Sequence, residues 1–212
     1  MLTLMKGRKK KRSAKAASGA GKAGNVRAAI LDAARSLYFA HGADGVSARK
    51  IASAVGCSAT TIYIYYKNLD DLLHHLRMEG FARLTQYLQE TSGASAIERI
   101  LEMGKAYFRF GMEHPNYYDV MFFYRFRELP KADMIQREIY ALTLLRDAVK
   151  SGIESGEIRG DVDLMVLTNG LWAEIHGITS LAVSGRLWQT AQGQHERVLQ
   201  AIFEGMERWL RP

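Results

Sequence analysis

An all-α protein is what this sequence predicts, and three observations carry the prediction. Apolar residues recur three and four positions apart through most of the chain, no segment alternates polar and apolar residues in the manner of a strand, and only three prolines interrupt 212 residues. Glycine- and proline-bearing breaks then divide the chain into helices. The architecture expected is an N-terminal three-helix domain built on a helix-turn-helix, joined by a long helix to a C-terminal helical bundle. The expected boundaries are a basic arm at 1–24, the helix-turn-helix domain at 25–68 and the bundle at 69–212.

A 48% apolar composition gives a chain of this length ample material for a buried core. The single cysteine, Cys57, excludes an intramolecular disulfide and fits a reducing compartment. It falls in a turn where a small apolar residue suits, so it reads as a core filler rather than a redox sensor. No run approaches the roughly 20 apolar residues of a membrane span, and the basic N-terminus has no apolar stretch of signal-peptide length after it. A cytoplasmic protein without a membrane partner is expected.

The net charge of +7 is unevenly distributed. Residues 1–24 hold eight Lys or Arg and no acid, residues 25–68 five bases against two acids, and residues 69–212 sixteen bases against twenty acids. Positive charge is therefore concentrated toward the N-terminal end, as contact with phosphates would favour. The arm itself, rich in Lys, Ala, Gly and Ser, lacks the apolar surface to offset ordering and is expected to be disordered. It reads equally as a phosphate- or minor-groove-tracking arm and as a solubilising tail.

The first helix is expected over 25–41, with Asn25 as its cap and Val26, Ile30, Ala33, Ala34, Leu37 and Tyr38 as its apolar stripe. Its Arg27 and Arg35 read as a solvated face. After the break at 42–45 comes the stretch on which the rest of the chain turns, Ser47 to Asn68. Ser47 can cap a short helix that places Ile51, Ala52 and Val55 on one face, Gly56 ends it, and Ser58 can cap the next. In that second short helix Ile62 and Tyr66 face inward, leaving Ala59, Thr60, Thr61, Tyr63, Ile64 and Lys67 outward. A helix of about eight residues is about 12 Å long, matching the width of a B-DNA major groove. A plain helical hairpin is the alternative on geometry alone.

The residues from about Val26 to Leu73 resemble the DNA-binding domain of the TetR family of transcriptional regulators. The likeness runs from VRAAILDAARSLYFAHGADGVS through IASAVGCSATTIYIYY to NLDDLLHHL. The resemblance implies double-stranded operator DNA as partner, with contacts from Ser47 and Arg49 and from Thr60, Thr61, Tyr63 and Tyr65. Ala59 and Lys67 share that outward surface. Arg49 is the candidate for a bidentate guanine contact, while the hydroxyls and Tyr63 suit phosphates or a thymine methyl. Most members have a lysine where this chain has Leu69, which leaves one phosphate contact in doubt; Lys67 is the substitute at hand.

Asn68 can cap the long helix, with Asp70 and Asp71 complementing the dipole of its first turn, and the helix is expected to reach about Thr91. His74 and His75 are adjacent, about 100° apart on a helix, so they cannot form an i, i+4 metal pair. Further helices are expected at about 95–114, 116–123, 132–155, 162–187 and 192–210.

The middle of this half is aromatic, and its side chains read either as core or as pocket wall. The family resemblance implies an effector cavity here, and Met103, Tyr107, Phe110, Tyr118, Met121, Phe122, Trp172 and His176 are the candidates to line it. The effector would be an apolar or aromatic small molecule. Leu171 to Gly177 resembles a Trp-then-His-Gly signature of one subgroup of TetR-like C-terminal domains; His176 there reads either as an effector contact or as a structural histidine. Glu174, His176 and Ser180 place no third group in relay with a nucleophile on a helix, and neither HExxH nor a phosphate-cradling glycine loop is present. No catalytic residue, metal site or cofactor is expected.

The last helix carries Val198, Leu199, Ile202, Phe203, Met206 and Trp209 along one broad stripe. Pairing with the 162–187 helix of a second copy would bury more of it, and the resemblance implies such a four-helix homodimer seam. Two copies with reading helices about 34 to 36 Å apart would read a palindrome. The resulting expectation is a regulator, in the sense of a repressor, released from its operator by the effector. A constitutive architectural DNA-binding protein and a helical ligand carrier are the alternatives.

Overall fold

The computed structural model describes residues 25–187 and 194–212. Among them every regular element is helical, and the chain divides into two compact units, one through Leu76 and one from Arg77. The expectations placed on the arm at 1–24 and on a helix start at 192 lie outside the described residues.

In the first unit, helix α1 covers 25–41, with Asn25 inside the helix instead of capping it. A 3-10 turn at Ala43–Gly45 leads to α2 (Ala48–Val55) and α3 (Ala59–Tyr65). The hydroxyl of Ser47 accepts from the Lys50 amide at 3.2 Å and that of Ser58 from the Thr61 amide at 3.2 Å, so each short helix begins on a side-chain cap. Gly56 closes α2 at φ 75°, a left-handed conformation that glycine adopts without steric cost. Ile30, Ala34, Ile51, Ala52, Ile62, Tyr66 and Leu72 make the core of this unit, with Cys57 and Leu69 packed against it. Each aliphatic side chain fully buried there contributes about 1.5–3 kcal/mol, enough to hold helices of seven and eight residues that would not persist alone.

Helix α4 (Leu69–Gln89) opens on a reciprocal cap. The Asn68 side chain accepts from the Asp71 amide at 2.8 Å, and the Asp71 carboxylate accepts from the Lys67 amide at 2.9 Å. Asp71 is thereby buried with its charge engaged, and the helix dipole favours it there.

The second unit is arranged around α5 (Ala96–Glu113), which packs against α7 (Ala132–Glu154), α8 (Leu164–Val183) and α9 (Gln194–Leu210). The buried stripe of α5, Ile97, Ile100, Met103, Tyr107 and Phe110, has the three- and four-residue spacing read from the sequence. Gly111 allows α5 to approach α8 closely, since a Cβ there would lie 2.4 Å from the Thr179 methyl. The segment expected as one helix at 116–123 is two pieces, a single turn α6 (Pro115–Tyr118) and a π-helical turn (Asp119–Phe123). Tyr118 and Phe122 both face His176, with ring centroids at 5.7 and 4.8 Å. Helix α8 is shorter than the expected 162–187, because Gly185 turns the chain at φ 65° two residues after Val183.

Candidate DNA-reading surface and buried cavity

On the first unit, Ile62 and Tyr66 point into the core and fix the orientation of α3. The Tyr66 hydroxyl donates to the Arg27 carbonyl at 3.1 Å, the Arg27 guanidinium lies 4.9 Å over the Tyr66 ring, and Arg27 also donates to His75 Nε2 at 2.8 Å. With Nε2 accepting, His75 carries its proton on Nδ1 and donates to the Asp71 carbonyl at 2.7 Å. Arg27, read from the sequence as a solvated charge, thus ties α1 to α3 and α4; the i, i+4 pattern could not show a partner 48 positions away. Arg35 pairs with Asp32 on the surface.

The outward surface consists of Arg49 on α2 and Ala59, Thr60, Tyr63 and Ile64 on α3, all exposed, with Tyr63 at 50% and Ile64 at 73%. Lys67 is exposed just beyond α3. The remaining candidates are partly engaged within the unit. Ser47 caps α2, and Thr61 shares a 2.9 Å hydroxyl contact with Ser58. Tyr65 is half-buried against the core, so its ring is less available than the pattern implied. Leu69 packs against the same core. The surface offers hydroxyls, a guanidinium and two large apolar side chains held on a rigid two-helix frame, the chemistry that base edges and phosphates require.

The second unit holds a partly open cavity of about 370 Å³. Its wall is made by Phe81, Leu84 and Leu88 of α4, Ile100, Met103, Gly104 and Tyr107 of α5 and Phe122 of the π-helical turn. Ile135, Glu138, Ile139, Ala141, Leu142 and Leu145 of α7, Leu171, Trp172 and Ile175 of α8 and Met206 of α9 complete it. Of the eight residues put forward from the sequence, Met103, Tyr107, Phe122 and Trp172 lie on this wall.

Phe110, Tyr118, Met121 and His176 do not line the cavity. Phe110 is fully buried against Tyr87 and His114, and Met121 is buried beneath Gly80, where its sulfur would lie 2.5 Å from an added Cβ. His176 and Tyr118 form the layer behind the wall: His176 Nδ1 lies 2.9 Å from the hydroxyls of both Tyr107 and Tyr118. Tyr118 also reaches the His176 carbonyl at 3.3 Å. Burial pushes the Tyr107 hydroxyl up to about 12, raises Tyr118 further, and holds the His176 imidazole below its ordinary value, so all three are neutral near pH 7.

Sequence reading missed the aliphatic contribution of α4 and α7, because Leu84, Leu88, Ile139 and Leu142 have the spacing of an ordinary core. It also missed Arg77, whose guanidinium pairs with Glu138, donates to the Met121 carbonyl at 3.3 Å and lies 5.4 Å from the Phe81 and Phe126 rings. That pair joins residues 61 positions apart.

A helix-turn-helix head with an exposed second helix, followed by a separate helical unit that holds a cavity, defines a two-unit class of helix-turn-helix proteins. Residues 30–76 match the model for bacterial regulatory proteins of the tetR family, and residues 100–206, half of the chain, match the tetracycline repressor-like C-terminal domain. The chain belongs to the TetR family of transcriptional regulators. It is 24% identical over 165 residues to the transcriptional repressor AcnR of Corynebacterium glutamicum, covering 76% of this chain and 84% of that one. Among solved structures, a protein of unknown function from Rhodococcus sp. RHA1 superposes with a TM-score of 0.75 at 25% identity, over 88% of this chain and 96% of its own. The regulator FadR of Bacillus subtilis, solved with stearoyl-CoA, superposes at 0.62 and 21% identity over 86% and 98%, a likeness of fold alone.

Among the described residues no helix is long and apolar enough to cross a membrane, and no group of three or more His, Cys, Asp or Glu could hold a metal ion.

Proposed function

We propose that this protein is a repressor that binds a palindromic operator as a homodimer and leaves it when an apolar small molecule occupies the cavity of the second unit. The observation that carries this reading is the sharing of α4. Leu72 of α4 belongs to the core that positions α3, while Phe81, Leu84 and Leu88 of the same helix line the cavity. A ligand that favours one position of α4 over another biases the head attached to it, which is the two-state coupling that allostery requires.

The DNA contacts in this reading come from Arg49, Ala59, Thr60, Thr61, Tyr63 and Lys67, with Ser47 and the exposed part of Tyr65 at the margin. Dimerisation is supported by α8. Val166 is 57% exposed and Leu181 44%, Ala173 is exposed between them, and an added Cβ on Gly177 would meet nothing within 4 Å. An apolar strip with small residues at its centre allows a second helix to approach closely. Two heads are also needed to select a site, because one short helix reads too few base pairs for a genome.

The test is to select duplexes from a random library with the full chain, then measure affinity for the enriched duplex while titrating compounds that raise the melting temperature. The reading expects a palindromic duplex and at least one stabilising compound that weakens binding. Stabilising compounds that leave duplex affinity unchanged would leave a DNA-binding protein without an effector.

A further inference from the structure

The cavity wall is unequal in the hydrogen bonds it can still make. Among the lining side chains, only Tyr107, Trp172 and Glu138 carry nitrogen or oxygen. Both aromatic groups are turned toward the layer behind. The Tyr107 hydroxyl meets His176 Nδ1 at 2.9 Å, and the Trp172 ring lies against the His176 ring with centroids 5.4 Å apart. Tyr118 has the His176 carbonyl to donate to, which leaves Nδ1 of the neutral ring to accept from Tyr107.

Glu138 is the opposite case. A carboxylate accepts at both oxygens, and in Glu138 one of them, Oε1, is taken by Arg77. Glu138 stands at the mouth, its side chain 32% exposed between Ile135 and Ile139, which are themselves partly open to solvent at 38% and 47%. Arg77, behind it, is held by the Met121 carbonyl, by Glu138 and by two aromatic faces. The mouth therefore presents acceptor capacity, while the deep wall presents hydrocarbon.

We propose that the ligand of this cavity is an uncharged apolar compound whose polar end is a hydrogen-bond donor, a hydroxyl on a hydrocarbon body, seated with the hydroxyl on Glu138 and the body against Phe81, Met103, Leu171 and Met206. The proposal rests on the effector reading of the second unit and narrows it. A carboxylate head is disfavoured, because it would place a second negative charge beside the Glu138 carboxylate. A head that only accepts, such as an ether, would leave Glu138 without the new bond.

The test uses the full chain and three probes of matched length, decan-1-ol, 1-methoxynonane and decanoate, titrated by calorimetry. Decan-1-ol is expected to bind about tenfold tighter than the ether, as one hydrogen bond to a charged acceptor provides, with decanoate weaker than both. In Glu138→Leu the alcohol and the ether are expected to bind equally; should that variant fail to fold, the ranking in the unaltered chain decides alone. An ether that binds as tightly as the alcohol, or a decanoate that binds tighter, overturns the donor assignment and leaves the effector cavity standing. Absence of binding by all three overturns the effector cavity as well.

Discussion

The imidazole of His176 stacks on the ring of Tyr118 with centroids 5.7 Å apart and planes 22° from parallel, and its Nδ1 lies 2.9 Å from the Tyr118 hydroxyl. Two helices that share no sequence neighbourhood are joined there, α8 and the turn that carries Phe122 to the cavity wall. Removing the hydroxyl in Tyr118→Phe deletes one hydrogen-bond partner while keeping the stacking. A loss of about 1 kcal/mol is expected in urea unfolding, with the cavity shape retained. An unchanged midpoint would mean that the hydroxyl contributes nothing beyond the ring.

Acid sensitivity follows from the same imidazole. Burial lowers the His176 value in the folded chain below its ordinary 6.5. The stability associated with keeping it neutral is therefore fully present above pH 6.5 and is lost as pH falls through that value toward the folded one. Melting temperatures between pH 8 and pH 5 are expected to fall more steeply for the unaltered chain than for His176→Asn, which has no proton to gain in that window. Parallel slopes would remove His176 from the acid response.

Gly56 offers a test of the turn free of packing effects. A Cβ there meets nothing within 4 Å, so the cost of Gly56→Ala is the left-handed backbone alone. That cost is about 1–2 kcal/mol, read as a lower unfolding midpoint. A neutral result would mean that the turn relaxes to another conformation.

Pairing through α8 is tested by Gly177→Glu, which places a carboxylate in open space on the exposed strip and should leave the folded chain intact. Light scattering is expected to report a dimer for the unaltered chain and a monomer for the variant. A dimer in both would move the interface elsewhere.

The first unit was legible in the sequence because the helix-turn-helix depends on local signals. Ser47, Ser58, Gly56 and Asn68 each act within three or four residues of themselves, and all four stand in the structure where the caps and turn were expected. The cavity depends on distant pairings that a linear pattern does not carry. Aromatic density pointed to Tyr107, Phe122 and Trp172, yet it could not separate them from Phe110 and Met121, which fill the core one layer away. The Arg77–Glu138 pair had no local signature at all. The π-helical turn was equally hidden, since its residues have the composition of an ordinary helix.

The central claim is that the surface carrying Arg49 and Tyr63 reads duplex DNA. The most direct measurement is fluorescence anisotropy on a duplex enriched by the full chain, comparing the unaltered protein with Arg49→Ala and Tyr63→Ala, neither of which removes a core contact. Each variant is expected to lose about 1–3 kcal/mol of specific affinity while its melting temperature stays put, the scale of one base contact. Specific binding that survives both substitutions undiminished, or the failure of any duplex to be enriched, would contradict the account.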